Sequence, residues 1–202
     1  EPVECFPFNF RLRYDFTASS IRNDVNWLSG PPLNLVLVNS KTIDRFSDFH
    51  RRLIAKIAPV CFAYNFHLVL VNFKIDNSPL NFAKEIAPST SIGESGGKLV
   101  ELAKKGRIQI TNLPITGKIG ETIICTSKPD KNKSVKIEKI AEMSKQENIA
   151  LVFGCDENRN KNVRKLIDFA KYHLDISNKR IKLGIDTEIG AIASNINELR
   201  KV

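Results

Sequence analysis

From residue 33 onward the chain predicts an α/β fold, a mostly parallel sheet with helices on both faces. Short apolar runs of strand length alternate with stretches whose apolar residues recur at helical spacing. Two of those runs, Leu33 to Val38 and Ile149 to Phe153, are almost continuously apolar, as strands covered on both faces tend to be. Proline or glycine closes the helical stretches, at Pro59 and Gly106.

Taken in order, Leu33 to Val38 (LNLVLV) is the first strand. Ile43, Phe46, Leu53, Ile54 and Ile57 then predict a helix that ends at Pro59, and Phe66 to Phe73 (FHLVLVNF) is a second strand. Leu99 to Ala103 belongs to a helix closed by Gly106, followed by strand candidates at Arg107 to Asn112 and Thr122 to Thr126. Ser134 is placed to cap a helix carrying Val135, Ile137, Ile140 and Ala141. Ile149 to Phe153 is the most buried strand. Val163, Leu166, Ile167 and Ala170 recur at i, i+3, i+4 and i+7. Ile189, Ile192, Ala193, Ile196 and Leu199 form the last helix, with Thr187 as its expected cap and Glu188 at the positive end of its dipole. Residues 1–32 read as a separate N-terminal extension. There Phe8, Phe10, Leu12, Tyr14 and Phe16 alternate with polar residues in a strand pattern, before a Gly30-Pro31-Pro32 break. Residues 33–202 are read as one domain.

Composition narrows the function classes. Thirty-one Lys and Arg against 22 acids leave a net charge of +9, which suits a polyanionic partner because each neutralised phosphate releases a condensed counterion. A compositional bias towards Lys and Asn is the alternative source of that charge. The longest apolar runs fall far short of the roughly 20 residues that span a bilayer, so no membrane partner is expected. Cys5, Cys61, Cys125 and Cys155 contain no C-x-x-C pair, and three of the four lie in apolar stretches. Neither a disulfide framework nor a zinc site is indicated, and a reducing cytoplasm is expected. His50, His67 and His173 are widely separated, and the P-loop, dinucleotide-binding, zincin and nucleophile-elbow motifs are all missing. His67 reads as structural, within an apolar strand. His50, beside Arg51 and Arg52, reads as lying on a solvated helix face, with a substrate-facing role as the alternative.

Ligands of parallel sheets bind beyond the carboxyl ends of the strands, which directs attention to the loops after Val38, Phe73, Asn112, Thr126 and Phe153. Four segments stand out. Thr90 to Gly97 (TSIGESGG) interleaves glycines with hydroxyls, as an anion-binding loop or as a helix-starting turn. Cys125 to Asp130 (CTSKPD) places small hydroxyls and Lys128 at a strand end, as a ligand loop or a plain β-to-α turn. Leu151 to Glu157 (LVFGCDE) turns at Gly154. Asp175 to Gly190 is irregular and leads into a helix face of Gly190, Ala191 and Ala193, suited to close approach by a ligand or a partner helix.

Together these segments resemble the C-terminal region of the SPOUT superfamily of RNA methyltransferases, and more narrowly an uncharacterised archaeal family grouped with it. The resemblance is carried by LNLVLVN, IAPVCFAYNFHLVL, SIGESGGKLVELAKKG, TSKPD, ALVFG, AKYHLDIS and TEIGAIA, and covers most of residues 33–196. It implies a C-terminal trefoil knot, a rare exception to the rule against threaded connections. It implies S-adenosylmethionine as cofactor, RNA (tRNA or rRNA) as substrate and a homodimer. By position, the implied cofactor contacts are Thr126 and Ser127 in the first knot loop and Phe153, Gly154 and Cys155 in the second. Ile176, Leu183, Gly184 and Ile185 would follow around the adenine, with Gly190 on the final helix. Arg159 would orient the acceptor phosphate, Glu94 would act as base, and Lys128 and Arg180 would hold RNA; no metal is implied. The chain departs from the pattern at Asp156 to Lys161, where a polar, basic run replaces a glycine-containing loop. A non-catalytic RNA-binding protein on the same fold is therefore the rival reading, and a phosphate-dependent enzyme built on the SIGESGG loop is a third.

Overall fold

The computed structural model describes residue 31 and residues 33–40, 47–88, 94–113, 119–155 and 161–201. The strand candidate at Phe8 to Phe16, the helix residues Ile43 and Phe46, and the segments 89–93 and 156–160 lie outside them.

Seven strands form one sheet: β1 (Leu33–Val38), β2 (Phe66–Val71), β3 (Ile108–Thr111), β4 (Glu121–Cys125), β5 (Ser134–Val135), β6 (Ile149–Gly154) and β7 (Tyr172–Leu174). Their order is β3-β2-β1-β6-β4-β7-β5, and every pairing is parallel. In the centre Leu35 lies opposite Leu68 on one side and Leu151 on the other. Side chains alternate between faces, so one strand feeds two cores. Leu33, Leu35 and Leu37 pack with α1 (Asp48–Ala63), α2 (Pro79–Ile86), α3 (Glu94–Lys104), α4 (Ile137–Gln146) and α6 (Ile185–Lys201). Val36, Val38, Val69, Val71 and Val152 face the other way, towards Val163, Leu166 and Ile167 of α5 (Lys161–Phe169). The expected parallel sheet with helices on both faces is therefore present: among the described residues five helices lie on one side and α5 on the other.

Several local expectations change. Pro59 lies inside α1, which continues to Ala63 because Ala58 and Cys61 are fully buried; Asn65, at φ 57°, then turns the chain into β2. The proline forgoes one helical hydrogen bond without ending the run. Ser134 is no cap: it belongs to β5, and α4 starts after Lys136 without a side-chain cap. Thr187 lies within the first turn of α6, which begins at Ile185. His50 is not on a solvated face. It is buried at the start of α1, with Nδ1 3.0 Å from the Ser47 hydroxyl and its ring edge-on to Phe73. Half of TSIGESGG also resolves as helix. Gly96 and Gly97 lie in α3, where a Cβ on Gly96 would stand 2.6 Å from the Ala87 carbonyl oxygen, so the glycine serves helix packing. Among the described residues no helix is long and apolar enough to cross a membrane, and no cluster of ligating side chains could hold a metal ion.

Candidate functional site

The carboxyl ends of β1, β6, β4 and β7 lie side by side, and the chain leaves each of them in a loop. β7 is inserted between β4 and β5, although β4 and β5 are consecutive in the chain. The connection 126–133 therefore spans the last strand. Thr126 N–H donates to the Leu174 carbonyl (2.8 Å), His173 N–H donates to the Lys133 carbonyl (2.8 Å), and Asp130 N–H donates to His173 Nδ1 (3.1 Å). This last contact fixes Nδ1 as an acceptor and leaves Nε2, 3.3 Å from the Ile167 carbonyl, as the donor. His173 is thus a buried strut between the 126–133 loop and α5.

Within that loop the Thr126 hydroxyl accepts from Lys128 N–H (3.2 Å), and Ser127 is partly open to solvent. On β6 the Phe153 and Cys155 side chains point into the five-helix core, so these residues offer a ligand only their backbone. The Cys155 N–H donates to the Val38 carbonyl, and Gly154 between them is exposed. At the end of β1, Asn39 and Ser40 are buried polar residues on the same rim.

The segment after β7 is organised by Asp175. Its buried carboxylate accepts from Ser177 N–H (3.0 Å), the Ser177 hydroxyl (2.6 Å) and Arg180 N–H (2.7 Å). Asn178 and Arg180, at φ 52° and 59°, complete the tight turn. Ile176, Leu183 and Ile185 are half-buried, while Gly184 and Arg180 are exposed, so the segment presents an apolar wall with open backbone beside it. The Gly184 carbonyl accepts from Glu188 N–H (2.8 Å) as α6 begins.

Glu188, which the sequence suggested only as a favourable dipole charge, belongs to this site. Burial first, and then the nearby Asp175 carboxylate, push its carboxyl up to about 7. Burial and Glu188 in turn push the Cys125 thiol well above its usual range, and burial raises Cys61 to about 12. Neither thiol supplies a thiolate nucleophile near neutral pH. Because the folded state binds the Glu188 proton more tightly than the unfolded chain does, the contribution of this group to stability is fully present below about pH 4.5 and is lost as the pH rises through 7. Glu188→Gln is expected to be about 1–2 kcal/mol more stable than the parent at pH 8, allowing for screening by solvent, and equal to it at pH 4.5. Urea midpoints at the two pH values measure this, and a parent as stable as the variant at pH 8 contradicts it.

The remaining expected residues are dispersed. Lys128 is exposed on the first loop, beside the site. Gly190 lies in the second turn of α6, where a Cβ would meet nothing within 4 Å. Glu94 is the first residue of α3, which packs on α1 and α2; its side chain is outside the described residues. Arg159 is also outside them. His67 sits on β2, held neutral by burial and by Arg107, in keeping with a structural role. Cavities bounded by described residues include two of note. The smaller, about 430 Å³, lies between the loops after Phe73 and Asn112 and is lined by Lys74, Asp76 and Thr111. The larger, about 680 Å³, lies under α5 near the amino end of β4, away from the loops described above. The loops remain the better candidate because they bring together the groups with perturbed protonation and the sheet's crossover point.

Residues 33–197 match the model of a family described as protein of unknown function, DUF531. An uncharacterised protein of Methanocaldococcus jannaschii is 32% identical over 166 residues, spanning 81% of this chain and 92% of that protein. Among solved structures, a probable methylase family protein from Haemophilus influenzae is similar with a TM-score of 0.56 at 18% identity. That match covers 83% of this chain and 64% of the Haemophilus chain, so this chain spans less than two thirds of it. TrmJ from Z. mobilis is similar with a TM-score of 0.51 at 11% identity, over 83% of this chain and 68% of the other. At these identities the likeness establishes a shared α/β fold.

Proposed function

The chain belongs to this family of unknown function, DUF531, so its activity must be argued from its site, and we propose an S-adenosylmethionine-dependent RNA methyltransferase of the SPOUT type, acting on tRNA or rRNA. Residues 33–202 form its catalytic domain and residues 1–32 an extension. The observation that carries the reading is the insertion of β7 between β4 and β5 beneath the 126–133 loop. The chain approaches β7 from α5, on one face of the sheet, and leaves it for α6, on the other. That passage beneath a closed connection supports a trefoil knot. The resemblance of TSKPD and TEIGAIA to knot segments points the same way.

The residues fit the cofactor chemically. Ile176, Leu183 and Ile185 form an apolar wall for an adenine ring, and the exposed backbone at Gly154 and Gly184, with half-buried Thr126 beside it, supplies hydrogen-bonding groups, the mix that small-molecule sites use. Ser127, Phe153, Cys155 and Gly190 complete the set, Phe153 and Cys155 through their main chain. When bound, S-adenosylmethionine supplies an electrophilic methyl group on a sulfonium. The protein's own task is to hold the acceptor oxygen or nitrogen in line and to stabilise the charge redistribution. Arg159 orients the acceptor phosphate, Lys128 and Arg180 hold the RNA backbone, and Glu94 acts as base if a partner subunit brings α3 to the site. The enzyme works as a cytoplasmic homodimer without a metal. The rival, an RNA-binding protein without catalysis, is favoured by the basic Asn158-Arg159-Asn160-Lys161 run in place of a glycine-containing loop.

Methyl transfer from tritiated S-adenosylmethionine to bulk tRNA and rRNA tests the reading. Arg159→Ala is expected to lower the transfer rate about 100-fold while leaving cofactor affinity unchanged. Full activity in the variant removes Arg159 from the mechanism, and absence of transfer by the parent, with cofactor bound, favours the rival.

A further inference from the structure

We propose that the cavity under α5 is a second contact for single-stranded RNA, taking an unpaired nucleobase against the Phe169 ring while neighbouring lysines hold the adjoining phosphates. The proposal rests on the reading of RNA as the partner but concerns a different part of the molecule. β4 runs from Glu121 at this cavity to Cys125 at the candidate cofactor loops, which sets the two sites a strand's length apart, roughly 13 Å at about 3.3 Å per residue.

The helix explains how the cavity is built. Val163, Leu166, Ile167 and Ala170 turn α5's apolar stripe onto the sheet. The overlapping stripe Asn162, Lys165, Leu166 and Phe169, at i, i+3, i+4 and i+7, faces the cavity instead. Leu113, Gly120 and Ala170 add a largely apolar floor, and Lys171 closes the rim. At about 680 Å³ the space is within the range of small-molecule sites and ample for one nucleotide. Phe169 is 83% exposed, an aromatic ring left in water at the edge of an apolar-floored space.

Charge selects the occupant. Lys161, Arg164 and Lys165 are exposed along α5, with Lys133 and Lys171 next to its end. Among the described residues the acids near them are Asp168, exposed on α5, and Glu121, which pairs with Lys171 at 3.3 Å. Lys133 donates to the Asp168 carbonyl at 2.6 Å, which holds its charge at the helix end. Among the described residues, five cations against two acids around an open aromatic face match the pairing of stacking ring and backbone cations that sequence-tolerant single-strand binders use. A second copy of this chain, carrying the same excess of positive charge, would be repelled from this face.

The test uses the full chain, a fluorescein-labelled single-stranded oligouridylate read by anisotropy at several salt concentrations, and parallel calorimetry with S-adenosylmethionine. Phe169→Ala is expected to weaken oligonucleotide binding about tenfold with the salt slope unchanged. Lys165→Gln with Lys171→Gln is expected to reduce the slope of log affinity against log salt by about 1.4, about 0.7 per phosphate. Circular dichroism and melting temperature should not move in Phe169→Ala, because the ring is exposed. Affinity within twofold of the parent in Phe169→Ala overturns the site, as does a parent dimer that this substitution converts to monomer, which would place the ring in a subunit contact. The two readings fail separately: an unaffected oligonucleotide with normal cofactor heat removes this site alone, whereas the tenfold loss without any cofactor heat keeps this site and removes the methyltransferase reading.

Discussion

Asp175→Ala is expected to lose about 3 kcal/mol of stability and to bind S-adenosylmethionine at least tenfold more weakly than the parent. The Asp175 carboxylate is buried and accepts three hydrogen bonds from two residues, Ser177 and Arg180, which lie within five positions of it. Alanine leaves those donors without their acceptor at the point where the chain passes from β7 towards α6. Each bond to a charged acceptor contributes about 1–3 kcal/mol, and part of that total returns as the turn relaxes into water. The functional loss follows from position: Ile176, Leu183 and Gly184 hang on the turn that Asp175 fixes, and small displacements of a positioning loop weaken binding steeply. Asp175→Asn, which keeps one acceptor, is expected to fall between the two. Urea unfolding and calorimetry together check the result. An alanine variant with parental stability and cofactor affinity would show that the turn is held by something else.

Gly120→Ala is expected to cost about 3–4 kcal/mol, although it adds one carbon atom. Gly120 has φ +97°, and a Cβ there would stand 2.2 Å from the Asn148 carbonyl oxygen and 2.8 Å from the Ile149 nitrogen. That neighbour is backbone at the entry to β6, pinned by the 2.8 Å bond from Glu121 N–H to the same Asn148 oxygen, so it cannot give way. Gly97→Ala is the internal control. It lies in α3 with nothing within 4 Å of its Cβ, and alanine there should be neutral or stabilising by up to about 1 kcal/mol. Comparable unfolding midpoints for the two variants would contradict the assignment of Gly120 as the fixed entry to β4.

Much of this architecture is legible in the sequence because buried parallel strands leave a plain trace. LNLVLV, FHLVLV and IALVF are almost continuously apolar runs, and the matching strands β1, β2 and β6 are found within two residues of where the runs predict. What escaped is too short to carry a period. β7 is three residues and β5 is two, and both exist because they pair with each other and with β4. α2, eight residues long, buries only Phe82, Ala83 and Ile86, and its Ser78 cap and Pro79 read equally well as a loop. Ser134 and Thr187 have the right chemistry for caps, but tertiary pairing claimed the first and an earlier helix start enclosed the second.

The site divides in the same way. The rule that ligands bind at the carboxyl ends of parallel strands leads from sequence to the loops after Thr126 and Phe153. Asp175 and Glu188 could not be found so, because their meaning comes from convergence. One follows β7, the other lies in the first turn of α6, and Glu188 meets both Asp175 and Cys125, the last residue of β4, some 60 residues earlier. No local spacing encodes that meeting. His50 misled for a related reason: flanked by Arg51 and Arg52 it looks solvated, yet Phe73, brought over by β2, buries it.

Titration of the full chain with S-adenosylmethionine in a calorimeter tests the central claim most directly. The account predicts one site per chain with a dissociation constant on the order of 10 µM. It also predicts that Asp175→Ala lowers this affinity, whereas Gly97→Ala leaves it unchanged. No heat of binding at millimolar cofactor, from protein that is folded by circular dichroism, would contradict it.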